Sequence, residues 1–184
     1  MDPRTHRLIK EYENLVKLKN KSGGMFNLRV LNRIYTEYEL EFYGIEGLYI
    51  DGKMIRKLRN HKAIMTLPAE FPLKMPHVKW ITPIFHPNIA VGGDVCMGTE
   101  WTPMKSLRDI VIELADMIQF RSYNLDSPYN NIAKSWAQQH EMHLNDFINF
   151  VEFPPDEEDD LVIVDHDKNR SKRWLKSDND LEIV

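Results

Sequence analysis

Cys96 is the residue with the clearest chemical potential, because it is the single cysteine of this 184-residue chain. A lone thiol in a protein is either a small buried hydrophobe or a nucleophile. Cys96 falls within residues 83–98, which show little periodicity and contain Pro87, Gly92 and Gly93. Long ordered loops of this kind are often functional. The sequence therefore favours a nucleophilic thiol over a buried, inert one.

Asn88 precedes Cys96 by eight residues and follows Pro87, so it is expected on a turn near the thiol. A thioester attacked by an amine needs a hydrogen-bond donor where the oxyanion develops, and a carboxamide N–H can serve. A thiol suits a carrier because a thioester keeps its acyl group activated for aminolysis. The alternative is that Asn88 is an ordinary turn residue.

The elements around these residues predict an α+β domain. Apolar residues at three- and four-residue spacing predict helices over residues 4–19 and 106–120, the second capped by Ser106, and shorter helices over 131–139 and 143–151. Alternating β-branched and aromatic residues predict antiparallel strands over residues 25–32, 35–43, 63–67 and 78–81, with the basic residues 53–60 as a turn or edge. Two prolines four residues apart exclude both a central strand and a helix interior at residues 71–76, so this segment is predicted to be a loop.

Composition excludes several classes of function. A net charge of −4 argues against a nucleic-acid-binding protein, and no apolar run is long enough for a membrane helix. One cysteine permits no internal disulfide and fits a reducing, cytoplasmic location. The acidic run at 156–160 places a domain boundary near 151, with a domain over residues 1–151 and an acidic tail over 152–184 that is either disordered or a docking segment.

Several motifs occur in a recognisable order: the opening helix, the meander, Phe-Pro-Leu-Lys-Met-Pro at 71–76, His-Pro-Asn at 86–88, Cys96, Trp-Thr-Pro at 101–103, and Asp-Ser-Pro at 126–128. Over roughly the first 150 residues, this order resembles the ubiquitin-conjugating enzyme family. Any single tripeptide would be weak support, but the agreement in order and spacing is specific. The resemblance implies the UBC-like fold: an N-terminal helix, a four-stranded antiparallel meander, a central helix and C-terminal helices.

The resemblance also implies the chemistry. Cys96 would accept a ubiquitin-like protein from an activating enzyme and pass it to a lysine of a protein substrate, in some cases with a ligase and with no cofactor or metal. Asn88 would support the oxyanion or hold the loop in place. Asp126, beside Ser127, would orient or deprotonate the incoming amine, although both residues could instead cap the following helix. The structural residues at the site would be His86, Pro87 and Trp101.

The family binds the activating enzyme and any ligase through its opening helix and two loops. By position, the loop contacts here are Leu73, Lys74, Pro103 and Met104, and exposed Leu73 and Met104 would form an apolar patch. The alternative is that both side chains point inward. The opening helix carries four basic residues, Arg4, Arg7, Lys10 and Lys17. They would form either a basic contact with the partner or a solvated helix face.

The chain departs from the family pattern around its cysteine. Only four residues separate Cys96 from Trp101, and Met97-Gly98 follows the cysteine where many members carry Leu-Asp or Leu-Asn. Residues 35–61 are also poor in the usual family residues. These departures are typical of a divergent member, and they raise the hypothesis of a bacterial conjugation system with its own ubiquitin-like protein.

The tail contains an apolar island with acidic flanks, Leu161, Val162, Ile163 and Val164. Such a segment resembles motifs that bind ubiquitin-like modifiers by adding a strand to a sheet edge. Docking onto the chain's own domain and simple disorder are the alternatives.

Three other functions compete with conjugation. A thiol hydrolase would need Cys96 activated by His86, His140 or His143. A non-catalytic module of the same fold would bind ubiquitin-like proteins without charging the thiol. A metal site from His140 and His143 has no obvious further ligand in the sequence.

Overall fold

The computed structural model describes residues 2–98 and 101–152. Its α-helices are α1 (Pro3–Lys21), α2 (Leu107–Ile118), α3 (Asn131–His140) and α4 (Leu144–Phe147), with a 3-10 turn at Glu141–His143 between the last two. Its strands are β1 (Phe26–Val30), β2 (Glu37–Asp51), β3 (Met54–Thr66) and β4 (His77–Trp80). The strands form one antiparallel sheet in sequence order. The predicted fold class, with its opening helix, meander and following helices, is confirmed. The proposed modifier-binding segment 161–164 lies outside the described residues.

Helix α1 is joined to the start of α2 by a buried carboxylate. Glu11 is 2% exposed, and its Oε2 accepts a hydrogen bond of 2.7 Å from the backbone N–H of Leu107. Its Oε1 accepts a bond of 2.6 Å from Arg7 Nε. An anion at a helix N-terminus is stabilised by the free N–H groups there. The opening helix is therefore fixed to the central helix, and not only to the sheet.

Helix α2 is the central packing helix of the domain. Ser106 and Asp109 form the reciprocal capping box at its start, which confirms the predicted cap. Its buried face comprises Leu107, Ile110, Val111, Leu114, Ala115, Met117 and Ile118. These side chains pack against the sheet and α1 in the main core.

Within the described residues, no helix is both long and apolar enough to span a bilayer.

The prediction of a turn or edge over residues 53–60 was right only in part. Lys53 lies in the turn, but residues 54–60 begin the long strand β3, which pairs with the far end of β2 from Gly47 opposite Leu58 to Asp51 opposite Met54. Because β4 pairs with β3 from Ala63 to Thr66, residues 54–60 lie at an edge of the sheet. Charged residues are disfavoured in strands, and both faces of this hairpin are largely exposed, so no alternation indicates it. The available signal was Gly52, which has a φ of +62° at the first central position of a two-residue turn.

The C-terminal part is also less helical than predicted. Helix α3 begins at Asn131 and is capped by Asn130, whose side chain accepts from Ala133 N–H at 3.1 Å. Asp126 and Ser127 therefore do not cap it. Helix α4 covers only four residues because Ile148 takes an extended conformation and is buried in a second apolar cluster. That cluster is formed by Leu48, Phe85, Phe120, Ala133, Ala137 and Ile148.

Candidate active site

Cys96 is a half-buried free thiol on the loop after β4. Its backbone N–H donates to the carbonyl oxygen of Asn88 at 2.9 Å, so the cysteine is held directly against the His-Pro-Asn turn. The thiol residue lines a small open cleft of about 110 Å³. The other residues lining it are Asn88, Met97, Gly98, Glu113, Met117, Ser122, Tyr123 and Asn124. The structure therefore brings Cys96 and Asn88 to one site and leaves the thiol accessible.

His86 lies beneath the turn and is fully buried. Its Nδ1 accepts a hydrogen bond of 3.1 Å from the backbone N–H of Asn88, and its ring packs edge-on against Phe120 at 4.9 Å between centroids. Burial lowers the pKa of His86 to about 3, and the backbone of Ser122 opposes that shift only in part. The imidazole is therefore neutral and inaccessible near pH 7, which leaves it unsuited to activate Cys96 as a base.

Pro87 joins the turn to the start of α3. Its carbonyl oxygen accepts hydrogen bonds from the backbone N–H groups of Tyr129 at 2.8 Å and Asn130 at 2.9 Å. A proline has no N–H and a fixed φ, so it presents its carbonyl without competing for these donors. The cysteine loop and the segment before α3 are thereby held together.

The side chain of Asn88 is fully engaged with the segment that follows α2. Its Nδ2 donates to the carbonyl oxygens of Asn124 at 2.7 Å and Ser127 at 3.3 Å, and its Oδ1 accepts from Asn124 N–H at 2.7 Å. Asn88 itself is only 2% exposed. A buried amide with these partners fixes two chain segments relative to each other. This geometry matches holding the loop more closely than donating to an oxyanion.

Residues 90–95 form a tight loop against β4. Trp80 N–H donates to the carbonyl of Gly93 at 2.7 Å, and Ala90 N–H donates to Asp94 at 2.9 Å. Gly93 has a φ of +92°, and a Cβ there would lie 2.2 Å from Trp80 O. Only glycine permits this approach of two backbones. The part of the loop that leads to Cys96 is therefore held closely against β4.

Asp126 and Ser127 are exposed on the segment that Asn88 holds. Asn124 Oδ1 accepts from Asp126 N–H at 2.7 Å, and Ser127 contributes its carbonyl to Asn88. The cleft beside Cys96 is lined by Asn124, and neither Asp126 nor Ser127 lines it. The two predicted residues are thus linked to the site through the backbone, while their side chains face solvent at its edge.

Several residues at the cleft were missed by the sequence analysis, among them Asn124, Tyr123 and Glu113. Asn124 and Tyr123 line it from the segment after α2, and Glu113 lines it from α2, with its carboxylate 2.5 Å from Lys105 Nζ. Burial raises the pKa of Tyr123 above its ordinary value, and Glu141 raises it further. No motif marks these positions. Only the partners required by the buried amide of Asn88 indicate where Asn124 must lie.

The apolar residues of the predicted partner surface are exposed, as the sequence analysis expected. Leu73 is 75% exposed and Met104 is 88% exposed, so neither points inward, and Pro103 is exposed as well. Lys74 is exposed and pairs with Glu70 at 2.7 Å. Trp101 Nε1 donates to Pro72 O at 2.9 Å, which ties the two loops to each other.

The basic residues of α1 differ from one another in their contacts. Lys10 and Lys17 are exposed, and Arg4 donates to Pro68 O at 3.4 Å. Arg7 donates to the carbonyls of Pro103 and Lys105, both at 3.0 Å, as well as pairing with Glu11. The Arg7 guanidinium is therefore committed to contacts inside the domain. Among the described residues, no group of three His, Cys, Asp or Glu side chains could hold a metal ion.

The chain is similar in sequence to known proteins over much of its length. The family model described as "Ubiquitin-conjugating enzyme" matches residues 7–150. A probable ubiquitin-conjugating enzyme E2 of Encephalitozoon cuniculi is 29% identical over 117 residues, which cover 54% of this chain and 50% of that protein. The NEDD8-conjugating enzyme UBE2F of Danio rerio is 31% identical over 124 residues, which cover 62% of this chain and 61% of that protein. Neither relative is bacterial, so they give the bacterial hypothesis no support.

A solved structure shares the fold. The crystal structure of a Plasmodium yoelii protein assigned as a ubiquitin conjugating enzyme superposes with a TM-score of 0.56 at 18% identity, covering 77% of this chain and 90% of that one. At this identity the likeness concerns the fold alone. In sequence, the chain spans about half to three fifths of the length of the two curated relatives described above.

Proposed function

Because the chain belongs to the ubiquitin-conjugating enzyme family, we propose that it carries a ubiquitin-like protein as a thioester on Cys96 and transfers it to a lysine of a protein substrate. The observation that carries this proposal is the position of Cys96. The half-buried cysteine lines an open cleft, with its backbone bonded to Asn88. A buried structural cysteine needs neither feature.

The reaction consists of two acyl transfers. In the first, the Cys96 thiolate attacks the carboxy-terminal carbonyl of a modifier held as a thioester on an activating enzyme, whose own thiolate leaves. In the second, a neutral lysine amine attacks the Cys96 thioester, the C–S bond breaks and an amide forms. The amine loses one proton in total, which passes to solvent or to a base at the rim of the site, and the Cys96 thiolate is released.

Asn88 acts in this proposal as a positioning residue. Its amide holds residues 124–127 against the cysteine loop, and a direct bond to the oxyanion would require Nδ2 to release the carbonyl of Asn124 or Ser127. Asp126 and Ser127 then face the incoming lysine from the segment that Asn88 holds. An ammonium with a pKa near 10.4 must lose its proton before it attacks, and an exposed carboxylate can orient it for that step.

The activating enzyme and any ligase bind, in this proposal, to the surface formed by Lys10, Leu73, Lys74, Pro103 and Met104. Leu73 and Met104 provide exposed apolar side chains of the kind that mark a partner site. Arg7 supports this surface from below through its bonds to Pro103 and Lys105. Replacing Met104 with serine should slow charging by the activating enzyme, whereas the matched change Met142→Ser, at another exposed methionine, should not.

The identity of the modifier is open to direct test. One relative is named a NEDD8-conjugating enzyme, so NEDD8 belongs in the panel beside ubiquitin. The catalytic unit is proposed to comprise residues 1–151, and the lone cysteine makes a reducing, cytoplasmic location the simplest setting.

The test is a charging assay with the full chain. The protein is incubated with an activating enzyme, ATP and each modifier, then separated on gels with and without a thiol reductant. We expect one modifier to give an adduct that the reductant removes and that Cys96→Ala abolishes. Reductant-sensitive charging of Cys96→Ala would contradict the proposal, and so would non-covalent binding without charging, which would indicate a binding module.

The role of Asn88 is tested by a second step of the same assay. Asn88→Ala should still charge but discharge to free lysine more slowly, because residues 124–127 lose their three bonds to the amide. Asn145→Ala, which alters an exposed asparagine on α4, is the matched control. Discharge of Asn88→Ala at the wild-type rate would contradict a positioning role, provided that circular dichroism shows the variant folded.

A further inference from the structure

The hairpin formed by the outer parts of β2 and β3 carries a surface that the conjugation chemistry does not use. Side chains alternate along a strand, so Ile55, Lys57 and Arg59 share one face of β3. Ile50 lies directly opposite Ile55 on β2. These four residues, Ile50, Ile55, Lys57 and Arg59, are the hairpin surface. It is basic near the body of the domain and apolar toward the tip.

The basic end of this surface is only partly neutralised. Lys57 and Arg59 both pair with one carboxylate, Glu46, at 3.1 and 3.4 Å. Their side chains remain 43% and 65% exposed. Residues 46–60 contain four cationic and two acidic side chains. The surface therefore has a surplus of positive charge on a chain whose net charge is −4.

The apolar end opens into a cleft beside the cysteine loop. This cleft has a volume of about 490 Å³, and its walls include Ile50, Ile81, Phe85 and Val91. Ile50 is 47%, Ile81 53% and Val91 93% exposed, so its rim is an apolar patch open to solvent. The same cleft is bounded by Gly92 and Gly93 of the loop that leads to Cys96.

The chain itself passes the basic end of the surface just before the described residues stop. Asn149 N–H donates at 3.0 Å to Glu46 Oε2, the same oxygen that lies 3.1 Å from Lys57 Nζ. Glu152 is three residues further on and pairs with Arg121. The four residues from Glu152 to Asp156 can extend over at most about 13 Å. The acidic run at 156–160 therefore begins only seven residues after Asn149, whose backbone is bonded to the carboxylate that pairs with Lys57 and Arg59.

The tail and the hairpin surface each have a charged part followed by an apolar part, in the same order. Residues 156–160 are all acidic and residues 161–164 are all apolar. Moving outward on the hairpin, Lys57 and Arg59 come first, and Ile55 and Ile50 follow two to four positions later. Charge complementarity fixes orientation and register, while apolar contact provides affinity.

We propose that residues 156–164 of this chain dock on the hairpin surface, with the acidic run over Lys57 and Arg59 and the apolar run over Ile50, Ile55 and the cleft at Val91. The docked segment lies beside the loop that leads to Cys96. This proposal does not depend on the identity of the modifier or on the thioester chemistry. It assigns to the acidic tail a site on its own domain.

The test measures proximity in the full chain. A nitroxide is attached to Val162→Cys in a Cys96→Ser background, so that one thiol is labelled, and isoleucine methyl signals are recorded by NMR. The Ile50 and Ile55 methyls should lose most of their intensity, while Ile34, at the turn between β1 and β2, should keep it. Raising the salt from about 0.1 to 1 M shortens the screening length from about 10 to 3 Å and should restore part of the signal.

Matched charge variants separate docking from chance contact. Neutralising Asp156, Glu157 and Glu158 should restore the Ile50 and Ile55 signals, whereas neutralising Asp178, Asp180 and Glu182 should not. Unchanged broadening in the first variant, or no broadening in the labelled parent, would overturn the proposal. Broadening seen only between labelled and unlabelled chains in a mixed sample would also overturn it, because the segment would then occupy a second copy.

A variant without the label covers the case in which the nitroxide itself displaces the segment. Replacing Leu161, Val162, Ile163 and Val164 with serine should shift the Ile50 and Ile55 methyl signals of the full chain and leave Ile34 in place. Identical spectra for this variant and the wild type would overturn the proposal independently of the labelling result.

Discussion

The cysteine loop and the β2–β3 hairpin show that regular secondary structure and tight anchoring are separate properties. Residues 85–97 contain only isolated bridges, yet residues 85–89 are buried and the backbone is bonded to β2, β4 and the start of α3. The hairpin from Gly47 to Leu58 is a regular ladder, yet most of its side chains are exposed on both faces. The irregular segment is the more deeply buried and the more widely bonded of the two, which is what a positioned reactive thiol would require.

Each region contains or borders a buried neutral histidine. These two histidines give the largest predicted effect, a dependence of the free energy of unfolding on pH. Burial lowers the pKa of His86, under the loop, to about 3, and that of His61, under the hairpin, to about 4. A histidine with a folded pKa below its ordinary 6.5 takes up its proton only on unfolding. Stability is therefore complete above pH 6.5 and falls by about 1.4 kcal/mol per pH unit for each residue as the pH drops toward the folded pKa.

Urea unfolding between about pH 6.5 and 5 measures this slope. His61→Gln should remove about half of it, because His86 continues to contribute. His77→Gln, at an exposed position on β4, should leave the slope as it is. Equal slopes in the wild type and His61→Gln would show that the hairpin is not anchored by a neutral imidazole.

Adjacent glycines test the anchoring of the cysteine loop. Gly93→Ala should cost about 3 kcal/mol, because its Cβ would meet Trp80 O at 2.2 Å on a backbone with a φ of +92°. Gly92→Ala meets only Asp94 Oδ2 at 3.9 Å, so its effect should stay within about 0.5 kcal/mol. Denaturant unfolding of both variants measures the difference. Similar stabilities for the two would contradict the tight fit of the loop on β4.

Gly47 provides the corresponding test at the base of the hairpin. A Cβ there would lie 2.8 Å from His61 Cε1 and 2.9 Å from Ile118 Cγ2. Because side chains can shift where backbone cannot, we expect Gly47→Ala to cost about 2 kcal/mol, less than Gly93→Ala. Lys53→Ala at the exposed tip is the control, and its free energy of unfolding should equal that of the wild type. A Gly47→Ala variant as stable as the control would show a loosely packed hairpin base.

The smallest effect is expected at Glu46, which joins the hairpin to the C-terminal segment. Its pKa is lowered first by the backbone N–H of Asn149 and then by Lys57, against the opposing effect of burial. The ionised Glu46 carboxylate therefore stabilises the folded state fully above its ordinary pKa of 4.5. This stabilisation is lost as the pH falls through the lower pKa of the folded state. The stability difference between wild type and Glu46→Gln should shrink below about pH 4.5. A constant difference would exclude the ionised carboxylate as its source, and Glu13→Gln on α1 is the exposed control.

The sequence predicted the parts of the fold in which local pattern and tertiary packing agree. The opening helix was predicted over residues 4–19 and spans Pro3–Lys21 in the structure, and Ser106 caps α2 as predicted. The hairpin was missed because exposure on both faces removes the alternation that identifies a strand. Residues 143–151 were predicted as helix because their apolar spacing is helical, but burial of Ile148 and the bond from Asn149 to Glu46 extend the chain there.

The candidate site was predictable in the same uneven way. Cys96 and Asn88 could be identified because their types and spacing follow a motif, and the structure places them in contact. Asn124 and Tyr123 could not be, because they reach the cleft only through the three bonds between Asn88 and the segment after α2. Arg7 was predicted to face a partner, and no sequence pattern indicated that its guanidinium would bind the carbonyls of Pro103 and Lys105.

The measurement that tests the carrier role most directly compares wild type with Cys96→Ser after charging. A thioester on Cys96 should be cleaved by a thiol reductant, whereas the oxygen ester on serine should survive the reductant and be removed by mild hydroxide, since an ester is less activated toward aminolysis and thiol exchange. Conversion of a reductant-sensitive adduct into a reductant-resistant, hydroxide-sensitive one is the predicted result. An adduct unchanged by the substitution, or stable to both treatments in both proteins, would place the modifier on another residue and contradict the role of Cys96.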